Sequence, residues 1–393
     1  MRVTYVSRRA WPSLGGISSN LRLLTGALPS LERVQILTPR TDQGWPTDTD
    51  VVARSSFEPF EHGQVTTEPL RVGGRERLAL APAVARPHLR RLPRGAGWLG
   101  RRAFAGYGAG VGAAIARSAD RPDLLHVMGG GSLAAAGAAA ARRLRVPLVL
   151  SPFAHPGQWD DDPQSGAAYK AADLVVAQNA TDAETYRRLG VDERRLAIAP
   201  PCTARLPTGG GTELRRREGI AGPLVLFIGS RQAYKGLDLL VQAVDALPEP
   251  PTLAILGSGP PVDGASRARI VDTGAVEDAE KAAWLAAADL LALPSAYESF
   301  GLVIAEAWSV GTPVVTSDIP VLGQLVAESG GGLTAAREPA ALASALAGVL
   351  ADPRRARELG AAGRAYWEER LTPEAAAART MRVYDEVLGN GVS

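Results

Sequence analysis

The chain has 393 residues, too many for one ordinary core and enough for two domains. Hydrophobic residues at 46% and charged residues at 21% exclude an intrinsically disordered chain. A balance of 43 Lys and Arg against 41 Asp and Glu argues against a protein built to wrap nucleic acid, and a single cysteine, Cys202, excludes a disulfide framework and fits a reducing compartment.

Taken in chain order, short apolar runs alternate with longer amphipathic segments, the pattern of parallel-sheet α/β architecture. In the first half, strands are expected at Arg2–Ser7, Val34–Thr38, Leu124–Met128, Pro147–Ser151, Asp173–Ala177 and Leu196–Ala199. The Ala-rich Ser132–Arg145 reads as a covering helix, and residues 41–110 read as irregular. Breakers from Pro200-Pro201-Cys202 through Thr208-Gly209-Gly210-Gly211 mark a linker. The second half carries expected strands at Leu224–Ile228, Thr252–Leu256, Ile270–Thr273, Asp289–Leu293 and Pro313–Thr316. Helices over Pro339–Leu371 and a terminal helix Pro373–Leu388 follow. This divides the chain into residues 1–205, 206–372 and a helical tail, 373–393, expected to pack back toward the first domain. Ligands of open α/β sheets bind beyond the carboxyl ends of the strands, so two such sheets predict a cleft between facing, doubly wound domains.

Charge is unevenly spread. Residues 1–200 hold 26 Arg and Lys against 18 acids, and residues 201–393 hold 17 against 23, which points to different partners for the two halves. Arg86, Arg90, Arg91, Arg94, Arg101 and Arg102 form a basic run, read as a solvated loop or as a surface for an anionic acceptor or acidic lipid headgroups. Only Lys170, Lys235 and Lys281 are lysines; the other 40 cations are Arg. The longest apolar stretch, Leu133–Ala141, falls well short of the ~20 residues that cross a bilayer. The chain therefore reads as cytoplasmic, with peripheral contact at the inner membrane face left open.

Neither a Walker A sequence nor a strand-linked Gly-x-Gly-x-x-Gly is present, which removes support for a P-loop kinase or a dinucleotide dehydrogenase. Gly257-Ser258-Gly259 runs into two prolines and reads as a turn. Gly129-Gly130-Gly131 reads as a tight turn or an anion cradle. Gly15-Gly16 lies shortly after the first strand and opens a helix, where bare backbone and unpaired N–H groups can approach a ligand.

The segment that carries most chemistry runs from Pro294 through Tyr297-Glu298-Ser299-Phe300-Gly301-Leu302 to Glu306, from the end of a strand into a helix. Eight residues at 1.5 Å rise put the two carboxylates on the order of 12 Å apart, too far to share one bond as a hydrolytic pair and suited to the two ends of an elongated ligand. Glu306 lies in apolar company and needs hydrogen-bond partners. The N–H groups of Phe300, Gly301 and Leu302, at the start of the helix, favour an anion. After the strand Leu224–Ile228 come Arg231 and Lys235, two cations suited to neutralising a diphosphate leaving group without a metal.

Together these residues resemble glycosyltransferase family 4, a retaining family of the GT-B fold, over nearly the whole chain. The resemblance implies that Glu298 contacts donor-sugar hydroxyls and Glu306 the ribose of the nucleotide. It implies that Gly15, Gly16 and the backbone at Ser299, Phe300, Gly301 and Leu302 approach the diphosphate, with Arg231 and Lys235 balancing its charge. Val276, in Gly274-Ala275-Val276, matches the loop bordering the base, and His155, just past a strand, matches the active-site histidine. The chain departs from the family pattern at Ser230, which stands where Arg is usual. His126 ends another strand and is a secondary candidate. Asp160-Asp161-Asp162 reads as a solvated loop or helix start, not a metal site.

The expected activity is transfer of a sugar from a nucleotide-diphosphate sugar to an acceptor hydroxyl or amine, with retention. No cofactor, no metal and no nucleic acid are expected, and the nucleotide-sugar is a co-substrate. The acceptor, whether glycan, lipid-linked or small-molecule, is left open. The rival readings are a nucleotide-sugar epimerase on the same fold and a non-enzymatic two-domain sugar-binding protein.

Overall fold

The computed structural model describes residues 1–13, 15–29, 31–42, 57–74, 76–78, 80, 98–158, 160–262 and 266–389. The chain divides into two compact units, Met1–Pro201 with Pro373–Ser393, and Cys202–Thr372. The passage between them falls at Pro201–Cys202, ahead of the expected 205. Local bonds account for the shift: Thr203 N–H donates to the Leu371 carbonyl, and Trp367 Nε1–H donates to Thr203 Oγ1 at 2.8 Å, so residues from 202 onward are already tied into the second unit.

The first unit is built on an eight-stranded sheet. Its strands are β1 (Arg2–Ser7), β2 (Arg33–Thr38), β3 (Phe60–His62), β4 (Val65–Pro69), β5 (Leu124–Met128), β6 (Leu148–Ser151), β7 (Leu174–Ala177) and β8 (Leu196–Ile198). They lie in the order β3-β4-β2-β1-β5-β6-β7-β8, and only β3 runs antiparallel to its neighbour. Strands β5, β6 and β7 are buried along their whole length, as apolar runs covered by helices on both faces must be. The helix Trp98–Ser118 packs closely on Gly131–Leu144 because both offer small residues there; a Cβ at Gly112 would lie 2.7 Å from Ala139 Cβ. Residues 41–110, expected to be irregular, thus contain β3, β4 and the start of a long helix. Arg86, Arg90, Arg91 and Arg94 of the basic run lie outside the described residues, whereas Arg101 and Arg102 belong to that helix.

The terminal helix Pro373–Val387 packs on Gly16–Ala27 within the first unit, as expected. Its Tyr384 hydroxyl bonds to the Tyr5 hydroxyl and to His126 Nδ1.

The second unit holds a fully parallel six-stranded sheet: β9 (Leu224–Ile228), β10 (Thr252–Leu256), β11 (Ile270–Gly274), β12 (Leu290–Leu293), β13 (Val314–Ser317) and β14 (Gly332–Ala335). The order is β11-β10-β9-β12-β13-β14. One face buries Trp284, Trp308 and Trp367 in a single cluster, and Gly331 and Gly363 leave the space that Trp308 fills. The chain winds outward from β9 to β11 and then returns to the other side of β9 at β12. The switch point therefore lies between the carboxyl ends of β9 and β12, where open α/β sheets form a crevice.

Candidate active site

Two loops meet at that switch point. The loop after β9, Gly229–Gly236, ends in a turn of 3-10 helix at Ala233–Lys235, and the loop after β12 runs from Pro294 to Gly301. They are joined through backbone: Ala296 N–H donates to the Tyr234 carbonyl at 2.7 Å. Gly236 adopts φ 73° with no room for a side chain, because a Cβ there would run into the Pro294 carbonyl. This contact brings together residues 63 positions apart: Lys235 Nζ donates to Glu298 Oε1 at 2.6 Å. Ser295 Oγ donates to the same oxygen at 2.8 Å, and Ser317 Oγ donates to the Ser295 carbonyl. Glu298 is only 9% exposed, so a charge-assisted pair replaces most of its lost hydration. Lys235 also sits over the Tyr234 ring, 5.2 Å from its centroid.

Gly301 starts the next helix, Leu302–Val310, from a left-handed conformation with φ 88° and no side-chain cap. Phe300 points its ring into the core while Ser299 stays in the loop. On this helix Glu306 stands between the buried Ala305 and Ala307. Its partner is Lys281, from the helix Asp278–Ala287 that follows β11: Nζ donates to Oε1 at 2.8 Å, and each side chain is 19% exposed. Lys281 also pairs with Asp278 at 3.1 Å, and the two carboxylates raise its pKa in spite of burial. Val276, in the loop before that helix, is partly buried against the same core as Phe300.

Arg231, expected beside Lys235 as a second cation for a diphosphate, has a side chain 5% exposed, with both terminal nitrogens bonded to Asp272 on β11. It also donates to the carbonyls of Gly257 and Pro260. Its charge is matched within the unit, and it holds the Asp272 carboxyl below its ordinary value. The Gly257-Ser258-Gly259 turn, with Gly257 against the Gly229 backbone and Gly259 against the Arg231 stem, forms the bed for this clamp.

In the first unit, Gly15 has φ 137° and precedes the helix Gly16–Ala27, with the Arg9 guanidinium against it. His155 is half-buried in the loop after β6, where Phe153 takes a left-handed φ of 55° and Ala154 N–H donates to the Tyr186 hydroxyl. His126 lies within β5. It is 3% exposed, stacked on Tyr5, and bonded through Nδ1 to Tyr384 and through Nε2 to Ser151; burial pushes its pKa down to about 3.

The three consecutive aspartates are structural. Asp162 caps the helix Pro163–Tyr169, Asp161 pairs with Arg188 and accepts from Gly157 N–H, and Asp160 lies against the Gly130-Gly131 turn. The chain's own carboxylate thus fills the glycine turn that the sequence left as a candidate anion cradle. Among the described residues, no cluster of His, Cys, Asp or Glu is arranged to hold a metal, and no helix is long and apolar enough to cross a membrane.

Residues 222–352 match the family described as glycosyl transferases group 1, and residues 15–202 match the glycosyl transferase 4-like domain. The chain belongs to the group 1 glycosyltransferases.

The chain is 38% identical over 238 residues to the D-inositol 3-phosphate glycosyltransferase of Xylanimonas cellulosilytica, a match covering 54% of the chain and 57% of that protein. It is 34% identical over 212 residues to the glycogen synthase of Mycobacterium tuberculosis, covering 51% of the chain and 48% of that protein. The chain thus spans about half the length of these curated relatives. Its fold is that of the sucrose-phosphate synthase of Thermosynechococcus elongatus, with a TM-score of 0.72 at 21% identity over 99% of this chain and 100% of the other. Anabaena HepE in complex with UDP-glucose gives a TM-score of 0.73 at 18% identity over 98% and 100%. The chain therefore has two Rossmann-like domains of the GT-B type.

Within the second unit, the sequence-predicted Lys235 and Glu298 are brought into contact, and Glu306 lies on the neighbouring helix. Sequence reasoning missed Lys281. The available signal was its rarity: two of the three lysines in the chain hold the two motif glutamates.

Proposed function

We propose that this chain is a retaining glycosyltransferase that moves a sugar from a nucleotide-diphosphate sugar to an acceptor hydroxyl or amine without a metal. The observation that carries the reading is the Lys235–Glu298 pair at the β9/β12 switch point, with Glu306 on the adjoining helix. A cation and a carboxylate side by side suit a donor whose diphosphate and sugar are joined: the ammonium meets phosphate oxygens while the carboxylate accepts from sugar hydroxyls. The barrier lies in breaking the sugar–phosphate C–O bond, so stabilising charge on the departing diphosphate is the main catalytic demand. Lys235 and the N–H groups at Gly301 and Leu302 are the groups assigned to it. His155, Gly15, Gly16 and Val276 keep the roles that the family resemblance gives them, as part of the same proposal. The UDP and UDP-glucose complexes of the structural neighbour HepE support a nucleotide-sugar donor.

A thermal-shift screen with UDP, GDP, ADP and dTDP tests the donor site: a bound nucleotide raises the melting temperature according to its concentration over Kd. Mass-spectrometric detection of nucleotide-sugar hydrolysis then identifies the sugar without knowledge of the acceptor. A protein that ignores all four nucleotides would remove the proposal.

A further inference from the structure

We infer that Lys281 is a positioning residue that presents Glu306 to a vicinal ribose diol and so restricts the site to ribonucleoside-diphosphate sugars. This rests on the reading of Glu306 as the ribose contact.

The helix around Glu306 is apolar, with Ile304, Ala305, Ala307 and Trp308 all buried. A carboxylate there is poorly hydrated and needs a bonded partner. Lys281 supplies it and fixes the carboxylate's orientation through Oε1 at 2.8 Å. Asp278 shares the same ammonium at 3.1 Å, so the three groups together carry one net negative charge. Such a group repels phosphate and accepts hydrogen bonds from hydroxyls, whereas Lys235 across the switch point offers a cation.

The choice of lysine is itself informative in a chain with 40 arginines. A guanidinium fork engages both oxygens of a carboxylate, while an ammonium takes one and leaves the remaining lone pairs to accept from a ligand. Two neighbouring O–H donors, the 2′- and 3′-hydroxyls of ribose, match what is left. A 2′-deoxyribose brings one donor fewer and leaves an acceptor unmatched, which converts to a loss of about ten- to a hundredfold in affinity.

The test is calorimetric titration of the wild-type chain and of Lys281→Met, Lys281→Arg and Glu306→Gln with UDP, GDP, ADP and their 2′-deoxy forms. The wild type should favour its ribonucleotide over the 2′-deoxy form by at least about tenfold. Lys281→Met should weaken the ribonucleotide by about ten- to a hundredfold and erase the preference, and Lys281→Arg should also reduce the preference while keeping the charge. With the matching nucleotide-sugar, KM for Lys281→Met should rise while kcat stays within about threefold, the mark of a binding role shared by ground and transition states. If Lys281→Met binds both forms like the wild type while Glu306→Gln loses binding, the inference falls and the reading of Glu306 stands. If Glu306→Gln also binds normally, the nucleotide site itself is misassigned. A wild type indifferent to the 2′-hydroxyl overturns the inference outright. Should Lys281→Met fail to fold, Lys281→Arg with an unchanged circular-dichroism spectrum decides the same question.

Discussion

Two donors, Lys235 Nζ and Ser295 Oγ, converge on one oxygen of Glu298. Lys235→Met should therefore lower kcat by about 10²–10³-fold, as loss of a preorganised charge at a leaving group does. Ser295→Ala should cost about tenfold in donor affinity and little in kcat; steady-state kinetics with the matching donor separates the two. A second residue-scale prediction concerns Asp182, wholly buried at the start of the helix Ala180–Arg188, with Oδ2 accepting from Gln178 and Oδ1 buried without a partner among the described residues. Burial raises its pKa from 3.8 to about 7. The folded chain thus holds a proton that the unfolded chain releases between about pH 4 and pH 7, so stability falls as pH rises through that window. Asp182→Asn removes the titration: its stability relative to wild type should climb by about 1–3 kcal/mol from pH 5 to pH 8, measured by urea denaturation, and a flat difference would refute the assignment. At this scale the sequence showed which charges exist but not what neutralises them. Lys235 and Glu298 stood out because each follows a strand in a recognisable segment. The pairing of Arg231 was not legible because its partner, Asp272, lies on another strand, and Lys281 was overlooked because it sits in an ordinary amphipathic helix whose partner is 25 residues on.

The segments that position these side chains depend on two glycines. Gly236 lets the β9 loop touch the β12 loop, so Gly236→Ala should push the loops apart and reduce turnover by more than about tenfold while the rest of the unit stays folded. Gly301 combines φ 88° with Ile304 and Leu322 methyls 3.1 Å from any added Cβ, so Gly301→Ala should cost about 1–3 kcal/mol in chemical denaturation and misplace the helix start. The central strands were legible because burial on both faces demands unbroken apolar runs; β1, β5, β9 and β10 match their expected limits. The sheet margins were not. Strand β4, Val65-Thr-Thr-Glu-Pro, is half-buried and polar, β3 has three residues, and β14 begins with glycine, so none carries the signal of a core strand.

At the scale of the whole molecule, the two-domain plan followed from the repeated alternation of strands and helices, and the terminal helix from its long amphipathic run. Its return to the first domain was expected, but the contacts that fix it there were not legible, because they are made by a tyrosine meeting Tyr5 and His126 more than 250 positions earlier in the chain. Tyr384→Phe removes the hydroxyl from both partners and leaves His126 Nδ1 buried without its bond; a loss of about 1–3 kcal/mol should appear in the calorimetric transition of the first unit. That arrangement also bears on synthesis. Residues 373–387 leave the ribosome only after all of Cys202–Thr372, so the second unit can close while the first still lacks the helix that covers Tyr5 and His126. The first unit, although translated first, is thus the last to receive all of its residues.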